Sequence, residues 1–137
     1  MGVDTWVRGT VAVHPPVPLA SLWELIEGRG HFAIAPAAAS PAELTELADH
    51  HELLLIPADG AGRDARGRPT HIKALVVDRD ARFSNTLHAL DAFAGWCTGH
   101  TLTAEIVYSG DYGDEGTVVL DPKRRVFDWV ETTPMQR

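Results

Sequence analysis

Alternating apolar and polar side chains near the start of the chain predict a first strand over Thr5–His14. Val7, Val11 and Val13 fall at alternate positions and share one face. The opposite face carries larger or more polar side chains: Trp6, Arg8, Thr10, Ala12 and His14. Period-two alternation is typical of a strand with one buried face. The Pro15-Pro16 pair that follows has no N–H to donate, so strand pairing is expected to stop there.

Apolar side chains at helical spacing predict three helices. The first covers Pro18–Glu27, and its apolar stripe is Leu19, Leu22, Trp23 and Ile26. The second runs from residue 41 to about residue 50 and follows a capping box in which Ser40 and Glu43 each bind a free backbone N–H. The third covers Ser84–Thr98, with Ser84 as its cap. Its predicted buried stripe is Phe83, Leu87, Leu90, Ala94 and Cys97.

The remaining apolar segments predict five further strands and two loops. The strands are Glu52–Pro57, His71–Asp78, Thr101–Tyr108 and a terminal hairpin of Thr117–Asp121 and Val126–Glu131. Gly30–Ala39 is expected to form a packed loop. Asp59–Pro69 is expected to form a flexible loop because it is rich in glycine and charge.

This order of elements predicts a ferredoxin-like α+β sandwich, with a mostly antiparallel sheet, an extra helix and a C-terminal β-hairpin that extends the sheet. Right-handed crossovers place the first strand centrally, antiparallel to the third and fourth predicted strands. The chain has 137 residues and shows no internal repeat or linker, so we expect a single domain over residues 1–137.

The face of this sheet that points away from the helices is the candidate binding surface. Its predicted members are Trp6, Arg8, His71, Lys73, Thr103 and Glu105. Leu75 and Val77 have the same parity as Lys73 and are expected on that face too. Trp and Arg often anchor protein interfaces, so the face suits a protein partner or self-association.

Composition narrows the class of protein. The net charge is −7 and the sequence pI is about 5.4, which argue against a general DNA-coating role. The single cysteine, Cys97, allows no intramolecular disulfide and suggests a cytoplasmic location. It is expected in the core rather than as a nucleophile. No apolar run approaches the ~20 residues that span a bilayer, so no membrane association is expected.

A metal-assisted activity is the first alternative. The predicted topology brings His14, His71 and His100 to one edge of the sheet, and three histidines can hold a metal. Side-chain parity opposes this, because His100 falls on the buried face and the other two do not. We therefore expect no catalytic residue, no resident metal and no cofactor, and keep a small-ligand or metal-assisted enzyme as an alternative.

A nucleic-acid accessory role is the second alternative. Arg63, Arg66 and Arg68 cluster in the predicted loop, and Lys123, Arg124 and Arg125 cluster in the last hairpin. Local positive patches of this kind can bind phosphates. The acidic net charge and the lack of aromatic side chains on the third strand argue against this role.

The opening segment Met1–Val11, followed by Pro15-Pro16 and a Trp-containing helix, resembles small uncharacterised proteins of actinobacteria and their phages. The Gly110-Asp111 turn before a β-hairpin fits the same family. The resemblance implies no catalytic residue, and small acidic proteins of this kind often bind host or defence proteins. The sequence therefore predicts a non-catalytic, cytoplasmic binding or regulatory module that acts through protein–protein contacts.

Overall fold

A computed structural model describes residues 5–24, 26, 32–35, 40, 42–43, 46, 53–60, 62–81, 83–110 and 115–131. These residues form an α+β fold that is mostly sheet. Its strands are β1 (Thr5–Pro18), β2 (Phe32–Ile34), β3 (Leu53–Pro57), β4 (His71–Ala81), β5 (Thr101–Gly110), β6 (Glu115–Asp121) and β7 (Val126–Glu131). One helix, α1 (Phe83–Trp96), connects β4 to β5 in this part of the chain.

The strands form one seven-stranded sheet in the order β2-β3-β4-β1-β5-β6-β7. Strand β1 pairs with β4 on one side and β5 on the other, antiparallel to both. The predicted central position of the first strand is therefore confirmed, as is the extension of the sheet by the terminal hairpin. All neighbouring strands are antiparallel except β2 and β3, which are parallel.

The main hydrophobic core lies between α1 and one face of the sheet. Val7, Val11 and Val13 are buried there, as the alternation of β1 predicts. Helix α1 contributes fully buried side chains to the same cluster, among them Leu90 and Phe93. The helix begins at Phe83, one residue before the predicted start. The side chains of residues 83–86, including that of the predicted cap Ser84, lie outside the description.

Four hydrogen bonds fasten the C-terminal half of α1 and the residues after it to the start of β7. The Arg125 guanidinium donates to the carbonyls of Ala94, Cys97 and His100 at the C-terminal end of the helix, at 3.4, 3.2 and 2.6 Å. The Phe127 amide donates to Asp91 Oδ1 at 2.6 Å. The cationic guanidinium adds donors at the C-terminal end of the helix, where the helix dipole favours positive charge.

The segment around Pro15 and Pro16 differs from its prediction. Strand β1 does not end at His14, because Val17 pairs with Ile72 after a shift in register. The extra residues of β1 lie in this shift, so the prolines sit where the ladder with β4 is interrupted and need no N–H. The predicted helix after Pro18 begins as a 3-10 turn, Leu19–Leu22. Part of its predicted range lies outside the described residues.

The predicted packed loop Gly30–Ala39 contains a strand. Phe32–Ile34 forms β2 and pairs in parallel with β3. Three residues are too few to show an alternating pattern, and their neighbours in sequence gave no strand signal. The pairing continues with a hydrogen bond from the Ala35 amide to the Leu55 carbonyl at 2.9 Å.

The assignment of Leu75 and Val77 to the open face is wrong. Both are fully buried in the core, and their neighbours Val76 and Asp78 point to the opposite face. The cause is a register shift in β4. Between Ala74 and Ile72, strand β4 has two steps while β3 has one, so Lys73 is the extra residue of a bulge. A bulge reverses which face each following residue occupies.

The capping box of the second predicted helix is confirmed. The Glu43 amide donates to Ser40 Oγ at 3.2 Å, and the Ser40 amide donates to Glu43 Oε1 at 3.4 Å. Most of that helix, and with it the question of whether it covers the open face, lies outside the described residues. Within the described part of the chain, no helix combines the length and apolar character needed to cross a bilayer.

Candidate binding surfaces

The open face of the sheet, on the side opposite α1, carries a continuous row of side chains across five strands. Strand register places them side by side in the order Asp78, Arg8, Val107, Thr117 and Val130. The row changes character along its length, from an ion pair at β4 and β1 to apolar side chains at β5 and β7. Facing pairs on adjacent strands lie within contact distance.

Three side chains at the polar end of this row form what we call the strand cluster: Trp6, Arg8 and Asp78. Asp78 Oδ1 accepts the Trp6 indole N–H at 2.9 Å and Arg8 Nε at 3.2 Å. The Asp78 side chain is 12% exposed, whereas that of Arg8 is 64% exposed. A nearly buried carboxylate thus holds an exposed cation and an indole in fixed positions. The guanidinium carbon lies 5.8 Å from the Trp6 ring centroid.

Sequence reasoning identified Trp6 and Arg8 but missed Asp78. Its signal is present in the sequence, because Asp78 ends the apolar run that begins at Ala74. Had Leu75 and Val77 been assigned to the core, their alternation would have placed Asp78 on the open face opposite Arg8. The missing information was the bulge at Lys73.

The apolar end of the row is the valine patch, which consists of Val107, Val119 and Val130. These side chains are 53%, 44% and 47% exposed. Val107 and Val130 both lie directly opposite Thr117, and Val119 is two residues from it on the same face of β6. The three valines are therefore neighbours on one surface. A groove of about 530 Å³ joins the strand cluster to this patch and is lined by Trp6, Arg8, Val107, Ser109, Glu115 and Thr117.

The remaining predicted members of the open face separate into two groups. Thr103 and Glu105 are exposed on β5 and share the parity of Val107. His71 and Lys73 are also on the outer side, but they lie beyond the bulge. Lys73 is five residues from Asp78, which is about 17 Å along a strand, and it pairs with Asp59 at 3.0 Å. His71 and Lys73 therefore lie away from the strand cluster.

The three histidines do not form a metal-binding group. Among the described residues, no set of three or more His, Cys, Asp or Glu side chains could hold a metal ion. His14 and His71 are exposed, and the His100 ring donates from Nδ1 to the Pro15 carbonyl at 2.7 Å. His71 Nδ1 contacts Thr70 Oγ1 at 3.0 Å.

The arginine loop, residues 62–70, is closed by internal hydrogen bonds. Asp64 Oδ1 accepts the amides of Arg66 and Arg68, each at 2.9 Å, and Oδ2 accepts Arg68 Nε at 2.9 Å. The Arg68 amide, followed by the Arg66 amide and the Arg68 side chain, holds the pKa of Asp64 below its usual value against the opposing effect of desolvation. Arg63 Nη1 donates to the Gly67 carbonyl at 2.7 Å.

Arg68 also contacts the 3-10 turn region. Its guanidinium carbon lies 4.0 Å from the ring centroid of Trp23, which is a close cation–π contact. We call Trp23, Arg68 and Asp64 the loop cluster. It contains the same three residue types as the strand cluster, although sequence analysis did not connect Trp23 with the loop.

The second basic patch, Lys123, Arg124 and Arg125, does not face solvent as a unit. Arg125 adopts a left-handed backbone conformation with φ of 55° and directs its guanidinium to α1. Lys123 and Arg124 are exposed, and their amides donate to Asp121 Oδ1 at 2.9 and 3.2 Å. These amides, that of Arg124 foremost, lower the pKa of Asp121.

Cys97 is fully buried in the core cluster, as predicted. Burial raises the pKa of its thiol to about 12, with Arg125 acting weakly in the opposite direction. A thiol of this pKa carries almost no thiolate at neutral pH and is a poor nucleophile.

Comparison of the chain with protein-family models, with curated proteins and with solved structures returns no match.

Proposed function

We propose that the protein is a non-catalytic binding module that engages a protein partner through the open face of its sheet. The observation that carries this proposal is the valine patch, whose three half-exposed side chains lie together on the face opposite the core. Contiguous exposed apolar surface on a protein often marks an interaction site. The strand cluster beside it supplies an exposed arginine and an indole, both held by Asp78.

The charges around the valine patch favour a basic partner. The sequences of β5, β6 and β7 contain five acidic residues and no Lys, Arg or His. Glu105, Glu115, Asp121 and Asp128 share the face of the valine patch, whereas Glu131 lies on the opposite face. Two copies facing each other here would juxtapose like charges, whereas a segment with apolar side chains flanked by Lys or Arg would be complementary. We therefore assign the face to such a segment of another protein.

We also propose that the protein has a ferredoxin-like fold, a cytoplasmic location and an association with a phage or other mobile element. The order β3-β4-β1-β5, with β1 antiparallel to both neighbours, supports a ferredoxin-like arrangement to which β2 and the terminal hairpin are added. A single buried cysteine is consistent with a reducing cytoplasm. The resemblance of the N-terminal segment supports an association with a phage or other mobile element.

Synthetic peptides test this assignment by fluorescence anisotropy at low and physiological salt. We expect an alternating Lys-Val heptapeptide to bind saturably, and Val107→Thr with Val130→Thr to weaken it about tenfold, since ~1.4 kcal/mol is lost with the apolar contact. A Lys-Ser heptapeptide and a Glu-Val heptapeptide should bind much more weakly. Trp96→Gln is the matched control, because Trp96 is an exposed apolar side chain on α1, away from the patch.

Two results would overturn the assignment. Equal binding of the Lys-Val and Lys-Ser peptides would show non-specific attraction to an acidic chain. A dimer in sedimentation velocity that the valine substitutions abolish would replace the basic partner with a second copy of this chain.

A further inference from the structure

The arginine loop and the 3-10 turn region enclose a second groove, distinct from the open face. It has a volume of about 510 Å³, and we call it the loop groove. Apolar surface is provided by Leu19, Ala20, Trp23 and Pro69, and polar surface by Asp64, Arg66, Arg68 and Thr70. Pockets of ~300–1,000 Å³ with an apolar lining and a few converging polar groups are the usual size for small ligands.

Arg68 is held rigidly at the wall of this groove. Its Nε donates to Asp64 Oδ2 at 2.9 Å while its guanidinium stacks 4.0 Å from the Trp23 ring centroid. Its two Nη atoms form no hydrogen bond with the described residues. A guanidinium fixed in this way presents its remaining donors in a plane, which suits the two oxygens of a carboxylate or phosphate.

The charge of the loop is opposite to that of the whole chain. Arg63, Arg66 and Arg68 against Asp64 give 3 − 1, or +2, whereas the chain carries −7. The neighbouring charges, Lys73 and Asp59, pair with each other and cancel. Arg66 is exposed and its side chain makes no hydrogen bond with the described residues, so its charge is available to a ligand.

We propose that the loop groove binds a small organic anion, in which a carboxylate or phosphate is attached to a flat apolar body. The anionic group meets the Nη atoms of Arg68 and the side chain of Arg66. The apolar body lies against the Trp23 and Pro69 side of the groove. This site is separate from the open face, and it does not depend on the proposed protein partner.

NMR of the full chain tests the proposal directly. Spectra of the four tryptophan indole N–H groups, assigned through single Trp→Phe variants, report where a ligand binds. The probes are phenyl phosphate, benzoate, benzyl alcohol and inorganic phosphate. We expect phenyl phosphate or benzoate to shift the Trp23 indole and the Arg68 Nε–H signals saturably, leaving the Trp6 indole unchanged. Benzyl alcohol and inorganic phosphate should bind at least tenfold more weakly. The tighter of the two anionic probes identifies the head group.

Arginine variants separate charge from fold. Arg66→Gln should weaken the anionic probes about tenfold and leave the spectrum otherwise intact, because the Arg66 side chain makes no contact that closes the loop. Arg124→Gln removes an exposed arginine on the β6–β7 turn and should have no effect. Val107→Thr with Val130→Thr should also have none, which distinguishes failure of this site from failure of the open face.

Three outcomes would overturn the proposal. Benzyl alcohol binding as tightly as phenyl phosphate would mean an apolar groove with no anion site. Inorganic phosphate binding as tightly as phenyl phosphate would mean that the groove binds the anionic group without a contribution from Trp23. Affinity for oligouridylate that rises steeply from one to six nucleotides would mean that a nucleic-acid strand, not a small ligand, occupies the loop.

Discussion

The strand cluster and the loop cluster each join a tryptophan, an arginine and an aspartate, yet they are built in different ways. In the strand cluster, Asp78 meets its partners across 70 and 72 residues of sequence. In the loop cluster, Asp64 and Arg68 are four residues apart. The carboxylate of the first is 12% exposed and that of the second is 31% exposed. The first cluster requires the pairing of β1 with β4, whereas the Asp64–Arg68 pair of the second forms within a single loop.

Because of this difference, the two aspartates hold their arginines in different ways. Asp78 accepts only side-chain donors, so its loss would remove the shared acceptor of the Trp6 indole and of Arg8 Nε. Asp64 also accepts hydrogen bonds from two backbone amides, so it stabilises the loop conformation as well as orienting the Arg68 side chain. The same residue types therefore link two strands of the sheet in one place, and in the other they stabilise a loop that also packs against Trp23.

Gly9→Ala should have the largest effect on stability. Gly9 has φ of +156°, and an added Cβ would overlap the Glu105 carbonyl oxygen of the paired strand. We expect a loss of about 3 kcal/mol in the free energy of unfolding, measured by urea denaturation, because β1 and β5 must separate. The substitution should also disrupt the strand cluster and leave the NMR amide shifts of the arginine loop unchanged.

Gly95→Ala is the control for this substitution, since a Cβ there meets no atom within 4 Å. It should leave stability unchanged or slightly raised. Equal destabilisation by both substitutions would contradict the close approach of β1 and β5.

Asp78→Ala should have the second largest effect. The Trp6 indole and Arg8 Nε lose their shared acceptor, and we expect about 2 kcal/mol of destabilisation in urea denaturation. Asp59→Ala, which breaks the exposed pair with Lys73, should change stability little. Equal destabilisation by Asp78→Ala and Asp59→Ala would show that the strand cluster contributes no more to stability than a surface ion pair.

Asp64→Ala should act locally. The amides of Arg66 and Arg68 lose their acceptor, and their hydrogen exchange should accelerate at least tenfold, as measured by NMR. Exchange in β1 and β4 should be unaffected because the loop lies outside the paired sheet. Faster exchange throughout the sheet would show that the loop cluster also depends on distant contacts.

Acid titration should produce the smallest effect. The folded pKa of Asp64 lies below its ordinary value of 3.8, so the stabilisation from its ionised form is complete above that value. It is lost as pH falls through the lower, folded pKa. The Arg66 and Arg68 amide shifts should therefore stay constant down to about pH 4 and change only below it. A titration midpoint of these amide shifts above the ordinary Asp64 pKa of 3.8 would contradict the hydrogen bonds to Asp64.

The sequence predicted those parts of the fold in which a long regular pattern acts alone. The alternation of β1, the burial of Leu90, Ala94 and Cys97 in the predicted α1 stripe and the Ser40–Glu43 capping box all appear as expected. Phe93 is also fully buried on α1, although the predicted stripe did not include it. The bulge at Lys73 was not predictable, because a single extra residue leaves no local signal and is fixed by pairing with strands on both sides. Asp78, the central residue of the strand cluster, was missed for that reason.

For the candidate sites too, the sequence predicted what alternation determines and missed what tertiary packing determines. Trp6 and Arg8 were placed on the open face by alternation alone. Arg125 was counted with a basic patch, but its left-handed backbone turns the guanidinium to the end of α1. The stacking of Trp23 on Arg68 joins residues 45 positions apart (68 − 23) through tertiary packing. No property of either segment on its own indicates this contact.

The hydrogen bond from Phe127 to Asp91 has a consequence for how copies of the chain can assemble. Strand β7 is the last of the sheet, and the amides on its outer side could template a further strand. The Phe127 amide is already bound by Asp91 of α1, and the next amide on that side, Trp129, is bound by Asp128. A further strand could add at this edge only by displacing these two carboxylates from the Phe127 and Trp129 amides.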